Sequence, residues 1–390
     1  MSFVASARRY RPQRWSEVLG QPATVRVLQK AVLHGRVASA YIFEGQKGCG
    51  KTSIARLLAK TLNCSDLDRQ IRSGFDPEPC CQCASCTDIA SGRDSEVLEL
   101  DAASNRGIDD ARELQRVAQQ QPRAGAWRIV ILDECHMLTK EAQNALLSLF
   151  ESPPENFLPI LCTTDAEKIL PTIASRCSTF QIRPIPQVAI VQSLRRICND
   201  AEQPVEDSVL FALARASGGS LRDAQQVVDQ LILCADGENI DDGFAEKQAG
   251  IPTLSLFKEV AGALTDAWEQ GPAAWFEVID MLHADGVSLR ALYFQVIPTL
   301  LRDLRISLIS KGLAQPVVPY DCGIAHHVFE ERNRFTHGDL EALFQAWDDQ
   351  AKYFDNALSE RANIEFFFLQ AWDKQRAAHP TSAENQVPRA

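Results

Sequence analysis

Eight consecutive residues carry the strongest chemistry in this sequence: Gly45-Gln46-Lys47-Gly48-Cys49-Gly50-Lys51-Thr52. They fit the pattern GxxxxGK followed by Ser or Thr. Glycines let such a loop wrap until its backbone N–H groups point at phosphate oxygens, and a helix that starts behind it adds the positive end of its dipole. Lys51 is then expected to reach the β- and γ-phosphates, and the Thr52 hydroxyl to hold Mg²⁺. The rival reading is a chance glycine turn.

Further along, Asp133-Glu134 ends the apolar run Arg128–Leu132 (RIVIL). Two acids at the tip of a buried strand suit a magnesium shell at Asp133 and a polarised water at Glu134. His136 beside them reads as structural. Thr163-Thr164-Asp165 follows another apolar run, and a threonine there could orient water or sense the terminal phosphate. An ordinary polar turn fits the same composition. Arg176 (in Ser175-Arg176-Cys177) and Arg222 (in Gly219-Ser220-Leu221-Arg222-Asp223) are cations that could stabilise a transferring phosphoryl group. Taken alone, each is more readily a solvated surface arginine.

The second chemical feature is a cysteine cluster. Fifteen residues separate Cys64 from Cys80, and two separate Cys80 from Cys83 and Cys83 from Cys86. Four thiolates so spaced can close on one ion as a tetrahedral, structural Zn²⁺ site with no open position for water. Cys81 is a spare that could compete. Unliganded thiols and disulfides are the rival readings.

Elements must position these groups. Residues 23–34 read as a helix, Ala40–Glu44 as a strand and Ser53–Leu62 as the helix behind the loop, which is the context a phosphate loop needs. Glu96–Leu100, Arg128–Leu132, Leu158–Cys162 and Thr179–Arg183 read as strands, with helices at Ile108–Gln120 and Ala142–Glu151. Alternating strands and helices predict an α/β fold with a parallel sheet. After about Ile182 the strand signal ends, and Pro184 and Pro186 mark a boundary. The remainder reads as helical, including Leu289–Ile309 and Asp339–Phe354.

The chain has 390 residues, 45% hydrophobic and 23% charged, with a net charge of −11. That balance argues against a basic clamp binding DNA tightly by itself. No apolar run is long enough to span a bilayer and the basic N-terminus lacks a hydrophobic segment, so neither a membrane nor secretion is expected and the cytoplasm is the expected location. The twelve cysteines therefore read as one metal cluster plus single buried thiols.

The motifs recur in a recognisable order. RRYRP and VLGQ near the start, GQKGCGKTSIARLLAKTLNC, PCCQCASC, LELDAASNRGIDDARELQ, ILDECHMLTKEAQNALLSLFESPP, CTTDAEKILPTIASRC and GGSLRDAQQVVDQL together resemble the gamma/tau family of bacterial DNA polymerase III clamp-loader ATPases. The resemblance is close to about residue 235. It is looser to about 372, where DGVSLRALYFQVIPTLLRDLRISLI resembles a helical oligomerisation collar.

What the resemblance implies is specific. It implies an AAA+ ATPase core at 1–182 with the zinc module at 64–86, a helical lid at 183–245, an all-α collar at 246–375 and a disordered tail at 376–390. It implies ATP as substrate, hydrolysed within a DNA polymerase complex. Arg11 and Pro12 match a segment lining the adenine side of the pocket, Thr164 a sensor of the terminal phosphate and Arg222 a second sensor from the lid. Arg176 matches an arginine finger reaching the ATP of a neighbouring subunit. The zinc ligands carry over to Cys64, Cys80, Cys83 and Cys86. Implied partners are further copies of the chain, delta and delta-prime subunits, the sliding clamp and primer–template DNA. Because the chain stops soon after the collar, a short, gamma-like form is implied. Cys49, Cys135 and Cys162 replace small apolar residues commoner in the family, and Cys81 replaces a glycine. Two rivals are a delta-prime-like scaffold, whose phosphate loop would usually be degraded, and a branch-migration motor, which the zinc insert and the SRC block count against.

Overall fold

A computed structural model of the chain describes residues 4–123, 126–309, 334–354 and 359–378. Two compact units emerge, Met1–Ser193 with Ser217–Gln226 and Leu194–Ala216 with Val227–Ala390.

The first unit is built on strands β1 (Tyr41–Glu44), β2 (Val97–Asp101), β3 (Arg128–Asp133), β4 (Phe157–Thr163) and β5 (Ser178–Gln181), in the order β2-β3-β4-β1-β5 and all parallel. β3 and β4 lie inside the sheet and read as nearly continuous apolar runs, because helices cover both faces. Neighbouring residues therefore serve opposite cores. Ile129 and Ile131 pack with Phe43, Ile160, Ile54, Leu57 and Leu58 on one face. Val130 and Leu132 pack with Ile42, Leu161, Leu114 and Leu146 on the other. This is the expected α/β arrangement, with helices on both sides of a parallel sheet.

Register sets the site. Glu44 pairs with Thr163, and Asp101 pairs with Asp133. With Leu132 opposite Leu161, the C-terminal ends of β1 and β4 finish level and that of β3 within one residue of them, at the edge where open parallel sheets bind ligands. Helix Lys51–Leu62 starts there, while helix Lys140–Glu151 begins on a Thr139 side-chain cap that accepts the Ala142 N–H. Two short helices absent from the sequence reading, Leu67–Ser73 and Ala84–Ser91, frame the cysteine insert.

The chain continues through helices Gln187–Asp200, Asp207–Ala216, Leu221–Ala235 and Asp242–Ala249. In the second unit, helices Leu254–Gln270, Ala273–Ala284, Ile297–Ile309, His337–Ala351 and Glu360–Ala378 enclose an aromatic core around Trp275, Tyr293, Phe367 and Phe368. Polar handles inside it are satisfied: the Tyr293 hydroxyl donates to the Trp347 carbonyl at 2.6 Å, and Trp347 Nε1 donates to the Tyr293 carbonyl at 2.9 Å. The expected helix at 289–309 contains a π-helical turn at Leu292–Val296. The final helix runs to Ala378, into the stretch expected as tail, whose remainder lies outside the described residues, as do 310–333 and 355–358 of the expected collar. Among the described residues no helix is long and apolar enough to cross a membrane.

Candidate nucleotide site and cysteine centre

The loop between β1 and helix Lys51–Leu62 is shaped by close approaches. Gly48 has φ of +79°, and a Cβ there would collide with Ser220 Oγ; a Cβ on Gly45 would collide with the Ile182 carbonyl. Only glycine meets both demands. Gly50, also left-handed, caps the helix, so the helix N-terminus opens into the loop. Lys51 is buried and its ammonium donates to the carbonyls of Gly45 at 2.8 Å and Gln46 at 3.0 Å, which holds the charge over the loop. Cys49 packs inward, its Sγ 2.9 Å from the Gln46 carbonyl, and burial pushes its thiol up. Lys47 is exposed.

Across the sheet edge, the Thr52 hydroxyl donates to Asp133 Oδ2 at 2.9 Å. These side chains come from positions 81 residues apart and meet because β3 lies one strand away from β1. Asp133 Oδ1 accepts the Glu134 N–H at 3.0 Å, and Glu134 has φ of +47°. A left-handed glutamate is strained by roughly 1–3 kcal/mol, the kind of backbone cost that clusters at functional sites. Its Oε2 lies 3.4 Å from Thr164 Oγ1 and 3.5 Å from His136 Nδ1. Thr163 is fully buried and its Oγ1 lies 3.2 Å from the same His136 nitrogen. Lys51, Thr52, Asp133, Glu134 and Thr164 are thus gathered at one edge.

Gln46 Nε2 donates to the Gly218 carbonyl at 2.8 Å, and Arg222 Cβ lies beside Gly48, so the segment at the start of helix Leu221–Ala235 touches the loop. Arg11 completes a positive group. Burial and the nearby Arg56 guanidinium lower its pKa, Glu99 opposes, and Arg222 and Arg8 lower it further. Arg56 is spoken for by Glu99, at 2.5 and 2.7 Å. A half-buried arginine crowded by other arginines is suited to an anionic ligand. Pro12 follows it in a small cleft lined also by Gln13, Lys60 and Leu57. Arg176 is elsewhere: it donates to the Thr172 carbonyl at 2.6 Å and to Glu151 Oε1 at 2.8 Å, and it is exposed.

The cysteine cluster is equally well formed. The sulfurs of Cys64, Cys80, Cys83 and Cys86 all lie within 4.8 Å of one another, and Cys80 and Cys86 are 3.9 Å apart. Tetrahedral zinc with bonds of about 2.3 Å needs sulfurs about 3.8 Å apart, so the cluster fits zinc. Backbone N–H groups of Cys80, Cys83 and Cys86 point at the Sγ atoms of Cys64, Cys80 and Cys83, at 3.3–3.5 Å. The hydrogen bond from Cys86, and then that from the Cys80 N–H, hold the Cys64 thiol down to about 5, while Cys86 is pushed up chiefly by that same bond to Cys64. Such N–H···S bonds orient ligands around a metal. Cys81 turns away, with φ of +60° and its Sγ 3.2 Å from the Gln13 carbonyl and 3.5 Å from Lys60 Nζ. The positive φ explains why glycine suits that position. The described cysteines are all free thiols.

Comparison with known proteins adds identity to this geometry. The family model described as the DNA polymerase III delta subunit matches residues 20–186, and that for the ATPase lid domain of the DNA polymerase III clamp-loader subunit matches 189–237. The DNA polymerase III subunit tau of Escherichia coli is 33% identical over 393 residues, covering 100% of this chain. The gamma/tau subunit of Mycobacterium tuberculosis is 40% identical over 263 residues, 67% of this chain. The chain belongs to the DNA polymerase III clamp-loader family. It spans 58% and 44% of the length of those two relatives. Among solved structures, the RuvB Holliday junction branch migration motor of Thermotoga maritima matches 75% of this chain and 91% of its own, at 17% identity and a TM-score of 0.44.

The network around His136 and Thr163, and the one joining Gln13, Trp15, Lys60 and Glu78, were not foreseen. Trp15, an isolated aromatic in a polar N-terminal stretch, was the available signal.

Proposed function

We propose that this chain is an ATP-hydrolysing motor subunit of a DNA polymerase III clamp loader. The observation that carries the reading is the Thr52–Asp133 hydrogen bond beside Lys51 and Glu134 at the sheet edge. In this reading the loop 45–52 wraps the phosphates of ATP, with Lys51 neutralising them, and Arg11 and Pro12 lie at the adenine side. Thr52 and Asp133 would hold Mg²⁺, which neutralises charge on the phosphates when bound. Glu134 accepts a proton from the attacking water, which Thr164 helps to orient. Arg222 reports on nucleotide from the lid side. Arg176 serves the site of a neighbouring subunit, consistent with its exposure and with partners, the Thr172 carbonyl and Glu151, that are not among the groups around Lys51. Cys64, Cys80, Cys83 and Cys86 would hold a structural Zn²⁺.

The domain scheme is that implied by the family: ATPase core 1–182, lid 183–245 and collar 246–375. Several copies join delta and delta-prime subunits through the collar. ATP binding draws the ring of subunits into a form that opens the sliding clamp, and hydrolysis on primer–template DNA releases it. A delta-prime-like scaffold would need none of Lys51, Thr52, Asp133 and Glu134 together.

The test is ATP turnover with and without partner subunits, clamp and primed DNA. The wild type is expected to be slow alone and strongly stimulated by the full set, and Lys51→Ala to lose the stimulated rate. Equal rates for Lys51→Ala and wild type would refute the reading.

A further inference from the structure

The cysteine module and the nucleotide side of the core meet along the segment Arg11–Ser16. On one side lies the phosphate-loop helix. Trp15, 1% exposed, donates its indole N–H to Thr61 Oγ1 at 2.9 Å. The buried Lys60 ammonium donates to the Gln13 carbonyl at 3.2 Å and to Gln13 Oε1 at 2.9 Å. On the other side lies the module. Glu78 accepts the Trp15 N–H on Oε2 at 2.9 Å and the Ser16 N–H on Oε1 at 3.1 Å. Cys81 donates to the Gln13 carbonyl at 3.2 Å.

Glu78 is itself anchored. Its N–H donates to Gln70 Oε1 at 2.6 Å and its carbonyl accepts from Gln70 Nε2 at 2.8 Å. Helix Ala84–Ser91, which carries Cys86 and is capped by Cys83, lends Ile89 and Ala90 to the cleft that holds Arg11 and Pro12.

From Arg11 to Arg14 the backbone has no helix or strand of its own, and only a short 3₁₀ turn follows at Trp15–Glu17. Its order must come from side-chain partners, and a carboxylate accepting two N–H groups is a strong one. Four sulfurs drawn onto one ion would tie the polypeptide immediately after Glu78 at several points, which preorganises that carboxylate.

We propose that the cysteine module is a strut for the nucleotide site, in which Glu78 is the positioning residue that holds segment 11–16, and with it Arg11, against the phosphate-loop helix. The inference rests on the loop being an ATP site. It gives the module a task beyond local stability: metal occupancy sets nucleotide affinity.

The test uses the full chain, a fluorescent ATP analogue and zinc quantification, with wild type, Glu78→Ala and Glu78→Gln measured before and after chelation. Glu78→Ala is expected to keep its zinc and to bind nucleotide about tenfold more weakly, the loss expected for charge-assisted hydrogen bonds. Glu78→Gln, which keeps one acceptor oxygen, falls between. In turnover assays the KM for ATP rises while kcat at saturation holds. Chelation of the wild type costs a similar factor, and chelation of Glu78→Ala adds little, because both act through one linkage. Where Glu78→Ala does not fold, Glu78→Gln and the chelated wild type decide. Affinity within about twofold of wild type throughout, or losses that multiply, overturns the strut. A wild type that binds no ATP overturns the nucleotide-site reading and this inference with it.

Discussion

At the scale of single residues, the site divides between charge and backbone. Lys51, Thr52 and Asp133 bring charge and oxygen donors to one point, whereas Glu134 is defined by a left-handed backbone that the Asp133 carboxylate supports from its N–H. Replacing Glu134 with Gln keeps size and hydrogen bonding but removes the proposed base. Nucleotide binding by Glu134→Gln is expected to stay near wild type while turnover falls by about 10²–10⁴, the usual contribution of a general base. Binding and single-turnover measurements on the same preparation check this; normal turnover would remove Glu134 from its role. The groups proposed to meet phosphate stand out in the sequence because their spacing is fixed by the loop and by strand ends. The contact between His136 and Thr163 is not legible there, because it depends on β3 and β4 pairing in one register. By spacing alone Cys81 is a spare thiol that could compete for the metal; its positive φ, invisible in composition, turns its sulfur toward Gln13.

At the scale of elements, the inner strands β1, β3 and β4 are readable because burial on both faces leaves little room for polar residues, and the limits of all five strands fall within a residue or two of the structure. The two short helices of the cysteine insert are not readable, since Leu67–Ser73 buries no residue and so carries no apolar signature. The irregular segment before Gly20 had no periodicity to read, yet it places Trp15 in the core against the phosphate-loop helix. Trp15→Ala removes that packing and leaves Thr61 without its donor. A loss of about 3–5 kcal/mol is expected, as for other buried aromatic truncations, to be measured by urea unfolding of the full chain. A change below about 1 kcal/mol would mean that the segment is not part of the core.

At the scale of the whole molecule, the sequence pattern predicts an α/β part followed by a helical remainder, and the chain divides into Met1–Ser193 with Ser217–Gln226 and Leu194–Ala216 with Val227–Ala390. The pattern did not foresee that residues 217–226 belong with the first unit, where Ser220 and Gly218 lie against the loop. Arg176 is exposed and bound to Glu151 and the Thr172 carbonyl, apart from the groups that surround Lys51. If hydrolysis happens at a seam between subunits, this arginine must act on the neighbour's ATP. The most direct measurement is ATP occupancy and ATP turnover in the same assembled complex, stimulated by clamp and primed DNA, with Arg176→Ala in place of wild type. Occupancy is expected to hold while stimulated turnover falls by about 10³-fold or more, as for an arginine supplied in trans. Stimulated turnover at the wild-type rate would contradict the account.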